Sequence, residues 1–265
     1  MSAPFRDNVV VITGASDGIG RELALQLAEQ GAWLALAARD EGKLELAAAD
    51  CRARGGRAVA IPTDVGDAAQ CRRLIDRTVK EYGRIDTLVN NAGISMWARL
   101  DEVTDLAPFE TMMRVNYMGS VWCTHAALPH LKRSRGRIVG VSSLTGRAGV
   151  PTRSGYAASK HALEGYSESL VHEIRATGVR VVLVEPAYTR TSFEGNVYQA
   201  DQQLDVAPLH AGRHLDGARR RVSWIRRTHH GPYDLEGVGG PLDHDHDRRS
   251  RRHRLRVGRH HPQGL

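Results

Sequence analysis

The chain has 265 residues, a formal net charge of +7 and 41% hydrophobic residues. That length accommodates one α/β domain with a sizeable core, and no apolar run approaches the roughly 20 residues that span a bilayer, which excludes a helical membrane protein. The three cysteines, Cys51, Cys71 and Cys123, are odd in number and lack metal-type spacing, so no disulfide framework or metal centre is expected and a reducing, cytoplasmic setting is.

Taken in chain order, Asn8–Thr13 is a continuous apolar run, the pattern of a parallel strand covered on both faces. It enters a glycine-rich turn, Gly14 to Gly20, and then a helical pattern that stops at Gly31. Trp33–Ala38 reads as a second strand, Glu41–Arg54 as a second helix and Arg57–Pro62 as a third strand. Asp67 caps a third helix that ends near Tyr82 and Gly83. Asp86–Asn90 is a fourth strand, running into Asn90-Asn91-Ala92-Gly93. A long helical region follows, from about Asp105 to Ser134, with Asn116 inside it. Arg137–Val141 is a fifth strand with Ser143 at its tip, and a helix carrying Tyr156 and Lys160 runs on to about Thr177. A sixth strand, Val179–Val184, is stopped by Pro186. Strands alternating with helices of this length predict an α/β fold with a Rossmann-type, doubly wound parallel sheet.

Beyond about Gln202 the pattern fails. From His210 onward there are 13 Arg, no Lys, 6 acidic residues and nine of the 13 histidines, so the whole excess of positive charge lies there. Apolar residues are sparse and without period, and little fixed structure is expected. The chain is therefore divided into a domain, residues 1–209, and an atypical Arg/His-rich segment, residues 210–265, that is disordered or read out of frame; the seventh strand is expected to be missing or aberrant. An Arg-rich stretch that binds nucleic acid, or a metal held by His244 and His246, are less favoured readings of this segment than a solvated tail.

The chemistry gathers at strand ends. Glycines without a Cβ let backbone approach a pyrophosphate, and the following helix N-terminus offers amide donors for the anion. At the end of the second strand the acidic position that would bind ribose hydroxyls holds Ala38, with Arg39 beside it, so NADP(H) is favoured and NAD(H) is the alternative. Tyr156 and Lys160, four residues apart, share one helix face near Ser143, an acid–base set able to exchange a proton with a substrate oxygen. Ligands of open α/β sheets bind beyond the carboxyl ends of the strands, where these residues fall.

With TGASDGIG at 13–20, NNAG at 90–93, Ser143 and Tyr156-x-x-x-Lys160 in this order, residues 7–200 resemble the short-chain dehydrogenase/reductase family. The resemblance implies a nicotinamide-dependent oxidoreductase acting on a carbonyl or secondary alcohol, and a homodimer or homotetramer. Its catalytic set would be Asn116, anchoring a water-linked proton relay; Ser143, holding the substrate oxygen; Tyr156, the acid/base; and Lys160, binding the nicotinamide ribose and lowering the Tyr156 pKa. The cofactor would be held by Gly14, Ser16, Asp17, Gly18, Ile19, Gly20, Arg39, Asp64, Val65, Asn91, Ala92, Gly93, Tyr156, Lys160, Pro186, Thr189 and Thr191. Ala187 stands where the family usually has Gly after Pro186. Segments 93–100, 144–152 and 192–206 are expected to line the substrate pocket, with Met96, Trp97, Val150 and Phe193 suggesting an apolar molecule. The alternatives are a 3-oxoacyl carrier-protein reductase, or an inactive relative whose basic tail binds nucleic acid.

Overall fold

A computed structural model describes residues 4–187, 189, 197–199 and 225–226. Six parallel strands build its central sheet: β1 Val9–Thr13, β2 Trp33–Ala38, β3 Arg57–Pro62, β4 Thr87–Asn90, β6 Arg137–Val141 and β7 Arg180–Val184. A short strand β5, Ser95–Trp97, lies outside that sheet and pairs in parallel with β8, Val197–Gln199. The order in the main sheet is β3-β2-β1-β4-β6-β7-β9, with β9 being Ile225–Arg226. The chain winds outward from β1 on one side and from β4 on the other, so a crevice opens between those two strand ends.

The apolar runs are continuous because both faces of the sheet are covered. Side chains alternate across each strand: Val9, Val11, Ala35 and Ala37 join one core layer, Val10, Ile12, Leu34 and Leu36 the other. The first layer is closed by α3 (Ala68–Tyr82), α5 (Gly119–Ser134) and the end of α6 (Ser154–Glu173), through Leu74, Ile75, Leu131 and Leu170. The second is closed by α1 (Gly18–Glu29) and α2 (Glu41–Ala53), through Leu25, Leu27, Leu44 and Ala47. Asp17, Asp40 and Asp67 cap α1, α2 and α3 by accepting from backbone N–H groups of the first turns.

Three expectations change in detail. The helical region expected over about 105–134 is divided into α4 (Ala107–Met112), a π-helical turn Met113–Met118 and α5, and the π turn holds Asn116. The Tyr/Lys helix ends at Glu173, before a single 3-10 turn and Gly178 at φ +77°. The seventh place in the sheet is occupied, but by only two residues running antiparallel to β7, with Leu183 opposite Arg226 and Val184 opposite Ile225. That pairing is the one described feature of residues 210–265. The Arg-rich runs and His244 and His246 lie outside the described residues, as do Phe193 and most of the segment 192–206. Among the described residues no helix is long and apolar enough to cross a membrane.

Candidate active site

The floor of the site is the β1–α1 turn. Gly14 has φ +65°, and a Cβ on it would lie 2.8 Å from the Ala92 backbone; one on Gly20 would lie 2.3 Å from the Gly14 carbonyl oxygen. Only glycine permits that approach. The Thr13 hydroxyl accepts from the N–H of Asn91 and of Ala92 at 3.0 and 3.1 Å. The Asn91 side-chain amide donates to the Thr13 and Gly14 carbonyls at 2.9 and 3.1 Å. Two strand ends on either side of the crevice are thus joined by Asn91, whose amide is committed to this tie.

Above the turn lies a cleft of about 930 Å³. Gly14, Ser16, Asp17, Gly18, Ile19, Arg39, Asp64, Val65, Asn91, Ala92, Gly93, Ser143, Tyr156, Lys160, Pro186 and Thr189 all line it. Gly20 supports the turn from behind, Asn116 is buried outside the cleft, and Thr191 lies outside the described residues. Lys43 lines the cleft beside Arg39 and Asp40 and was not foreseen; it comes from the first turn of α2, which brings it back to the end of β2. The Asp64 carboxylate accepts from Gly66 N–H at 2.8 Å, which shapes the loop after β3.

At the other end stands the acid–base set. Ser143 begins a short 3-10 turn, its hydroxyl accepting from Thr145 N–H and Oγ1 at 3.2 and 3.0 Å, and it hydrogen-bonds Tyr156. Gly155 lets the start of α6 seat tightly against Met96, Met112 and Phe109, which fixes Tyr156 at 7% exposure. Burial raises the phenol pKa, opposed by the Ser143 hydrogen bond and the Arg153 guanidinium. Lys160 is itself buried, its amine pushed down to about 8 against the pull of Glu164. Its Nζ donates to the Val141 carbonyl at 2.8 Å and lies 5.7 Å from the Tyr156 ring centre.

Asn116 is turned inward by the π-helical segment. Its amide donates to Ile94 O and Ser159 Oγ, both at 2.9 Å, and its Oδ1 accepts from Ile94 N–H at 2.8 Å. A Cβ on Gly93 would sit 3.3 Å from Asn116 Oδ1 and 3.6 Å from Lys160 Nζ, so glycine there keeps open the space between the two groups.

Two further features had no recognised signal. Ser142 Oγ donates to Glu164 Oε1 at 2.7 Å, and Arg147 joins Glu164 to Glu185, pairing with the latter at 2.6 and 2.8 Å. The serine turn, α6 and the end of β7 are tied together by this group. Arg153 also lines the cleft, with its guanidinium 4.3 Å from the Trp97 ring centre. Of the apolar residues expected in the pocket, Trp97 and Val150 line it, joined by Leu144. Met96 does not: it packs under Tyr156.

The family model for short chain dehydrogenases matches residues 8–202. An 11-beta-hydroxysteroid dehydrogenase A from Arachis hypogaea is 41% identical over 208 residues, 78% of this chain and 59% of the relative. The chain thus spans about three fifths of the length of the curated relatives it matches. Among solved structures, a short-chain dehydrogenase/reductase from Burkholderia phymatum in complex with NAD superposes with a TM-score of 0.70 at 32% identity, covering 72% of this chain and 69% of the other. An alcohol dehydrogenase from Thermococcus sibiricus complexed with 5-hydroxy-NADP gives 0.69 at 29% identity, covering 74% and 86%. By sequence match and by fold, the chain belongs to the short-chain dehydrogenase/reductase family.

Proposed function

We propose that the chain is an oxidoreductase that binds a nicotinamide dinucleotide, with NADP(H) preferred, and interconverts an apolar carbonyl compound and its secondary alcohol. The observation that carries this reading is that Ser143, Tyr156 and Lys160 share one cleft with the glycine turn Gly14–Gly20. The cradle fits a dinucleotide: Gly14 and Gly20 leave no room for a Cβ, and α1 begins at the cleft with its amide donors. Solved relatives complexed with NAD and with 5-hydroxy-NADP support the cofactor class. The preference for NADP(H) rests on Arg39, on Lys43 beside it, and on the neutral Ala38.

When bound, the nicotinamide supplies or takes the hydride. Tyr156 Oη gives its proton to the carbonyl oxygen in reduction and receives it in oxidation. Ser143 Oγ, already hydrogen-bonded to Tyr156, orients that oxygen and stabilises charge developing on it. Lys160 would hold the ribose of the cofactor, and Asn116, across the space above Gly93, would anchor the relay that returns protons to the amine. Trp97, Val150 and Leu144 give the substrate side an apolar wall. That wall, and the name of the Arachis relative, favour a steroid-like or lipidic carbonyl over a 3-oxoacyl carrier-protein.

The three free, buried cysteines agree with a cytoplasmic setting. Assembly as a homodimer or homotetramer, and the division into a catalytic domain 1–209 and an atypical appendage 210–265, complete the proposal.

The test is turnover by the purified chain with NADPH and NADH against apolar ketones, steroid-like carbonyls and a 3-oxoacyl thioester. Tyr156→Phe should lower activity by roughly 10²–10⁴-fold and leave cofactor binding intact. Substantial turnover by that variant rejects the assignment.

A further inference from the structure

Arg153 stands at the N-terminus of α6, three residues before Tyr156 and directly after the turn at Pro151. A cation there runs against the helix dipole, so helix stability does not account for it. Its guanidinium is fixed from two sides: Nη1 donates to Ser95 Oγ at 2.9 Å, and Cζ lies 4.3 Å from the Trp97 ring centre. Both partners come from β5. The same guanidinium lies 5.7 Å from the centre of the Tyr156 ring, in the cleft.

We propose that Arg153 is a positioning residue of the catalytic centre: held by Trp97 and Ser95, its guanidinium faces Tyr156 and stabilises the phenolate. The inference deepens the reading above, on which it rests for the role of Tyr156. A phenol packed among Met96, Met112 and Ile94 would otherwise resist ionisation. Arg153 and Lys160 come from α6 and its N-terminus, and Ser143 from the turn after β6. From β5, α4 and the π turn the apolar side chains of Met96, Phe109, Met112 and Val115 pack in the same cluster, and β8 contributes the phenol of Tyr198. Lys160 lies as far from the ring as Arg153 does, but burial depresses its basicity, whereas a guanidinium stays charged. Arg153 is thus the permanent positive charge beside the acid/base, and β5 ties it to the wall of the substrate cleft.

Arg153→Gln and Arg153→Lys test this. Tyrosinate ultraviolet absorbance is titrated on the full chain without cofactor, over the pH range in which circular dichroism stays constant. Each trace is taken as the difference from the same background carrying Tyr156→Phe, so that Tyr156 alone is read. Two unit charges separated by about 6 Å at an effective dielectric between that of water and that of a protein surface shift a pKa by about 0.5–2 units. Arg153→Gln should therefore delay ionisation of Tyr156 by that amount, and Arg153→Lys should restore much of it. The pH profile of kcat for alcohol oxidation should move in the same direction. Ionisation of Tyr156 at an unchanged pH in Arg153→Gln overturns the proposal, including where that variant is merely less stable, as a strut between α6 and β5 would be. A shifted titration in a chain whose Tyr156→Phe variant stays active keeps the charge coupling between Arg153 and Tyr156, but removes the reading of Tyr156 as acid/base and with it the catalytic role given to Arg153.

Discussion

Lys160 should make the free chain less stable than an apolar residue in its place would. The side chain is 3% exposed, and its amine falls from 10.5 to about 8 on folding. At about 1.4 kcal/mol per pH unit, that is a cost of about 3 kcal/mol. The folded pKa lies below the unfolded one, which sets the sign. Below about pH 8 both states hold the proton, and the folded state bears the full cost of burying it. Between that point and about pH 10.5 the folded state releases the proton while the unfolded state keeps it, so stability rises with pH. Lys160→Met removes the charge and keeps most of the volume. It also removes the donor to the Val141 carbonyl, a loss of about 1 kcal/mol. The variant should therefore be more stable than the parent by about 2 kcal/mol at pH ~7, with the advantage shrinking to near zero by pH ~9.5. Urea unfolding without added cofactor, at both pH values, reads this directly. A variant less stable than the parent at neutral pH, or a difference that does not change with pH, would refute the burial argument.

Two other perturbations have defined outcomes. Gly20→Ala places a Cβ 2.3 Å from the Gly14 carbonyl oxygen and 2.5 Å from Asn91 Nδ2, both parts of the tie across the crevice. Overpacking of this kind costs about 1–3 kcal/mol, and thermal unfolding together with cofactor titration should show lower stability and weaker binding; an unchanged affinity would dissociate the tie from the cofactor site. Replacing Arg39 and Lys43 by Gln should weaken NADPH binding at least about tenfold while sparing NADH, because only the former carries a 2′-phosphate for charge-assisted contacts; equal losses for both cofactors would remove the basis for the NADP(H) preference.

The sheet was legible in the sequence because its strands are buried on both faces. Trp33–Ala38 begins and ends where its apolar run does, Arg57–Pro62 and Arg137–Val141 each add only a leading arginine to theirs, and a run of that kind has few other fates. Ser143, Tyr156 and Lys160 were legible for a related reason: a strand tip and one helix face are local features, and the winding of the sheet brings their ends to one crevice. Arg153 and Glu164 were not. Each is an ordinary charged residue on a helix in the linear text, and becomes part of the site only through partners far along the chain: Ser95 and Trp97 for one, Ser142 and Arg147 for the other. The π turn at Asn116 was equally hidden, since the inward position of its side chain depends on the Ile94 backbone and on Ser159. Periodicity and glycine placement, which act over a few residues, thus determined the fold and the position of the acid–base set. Packing between distant elements decided how the Arg153 guanidinium is held, through Ser95 and Trp97, and how deeply Lys160 is buried, because both depend on distance in space and not on separation along the chain.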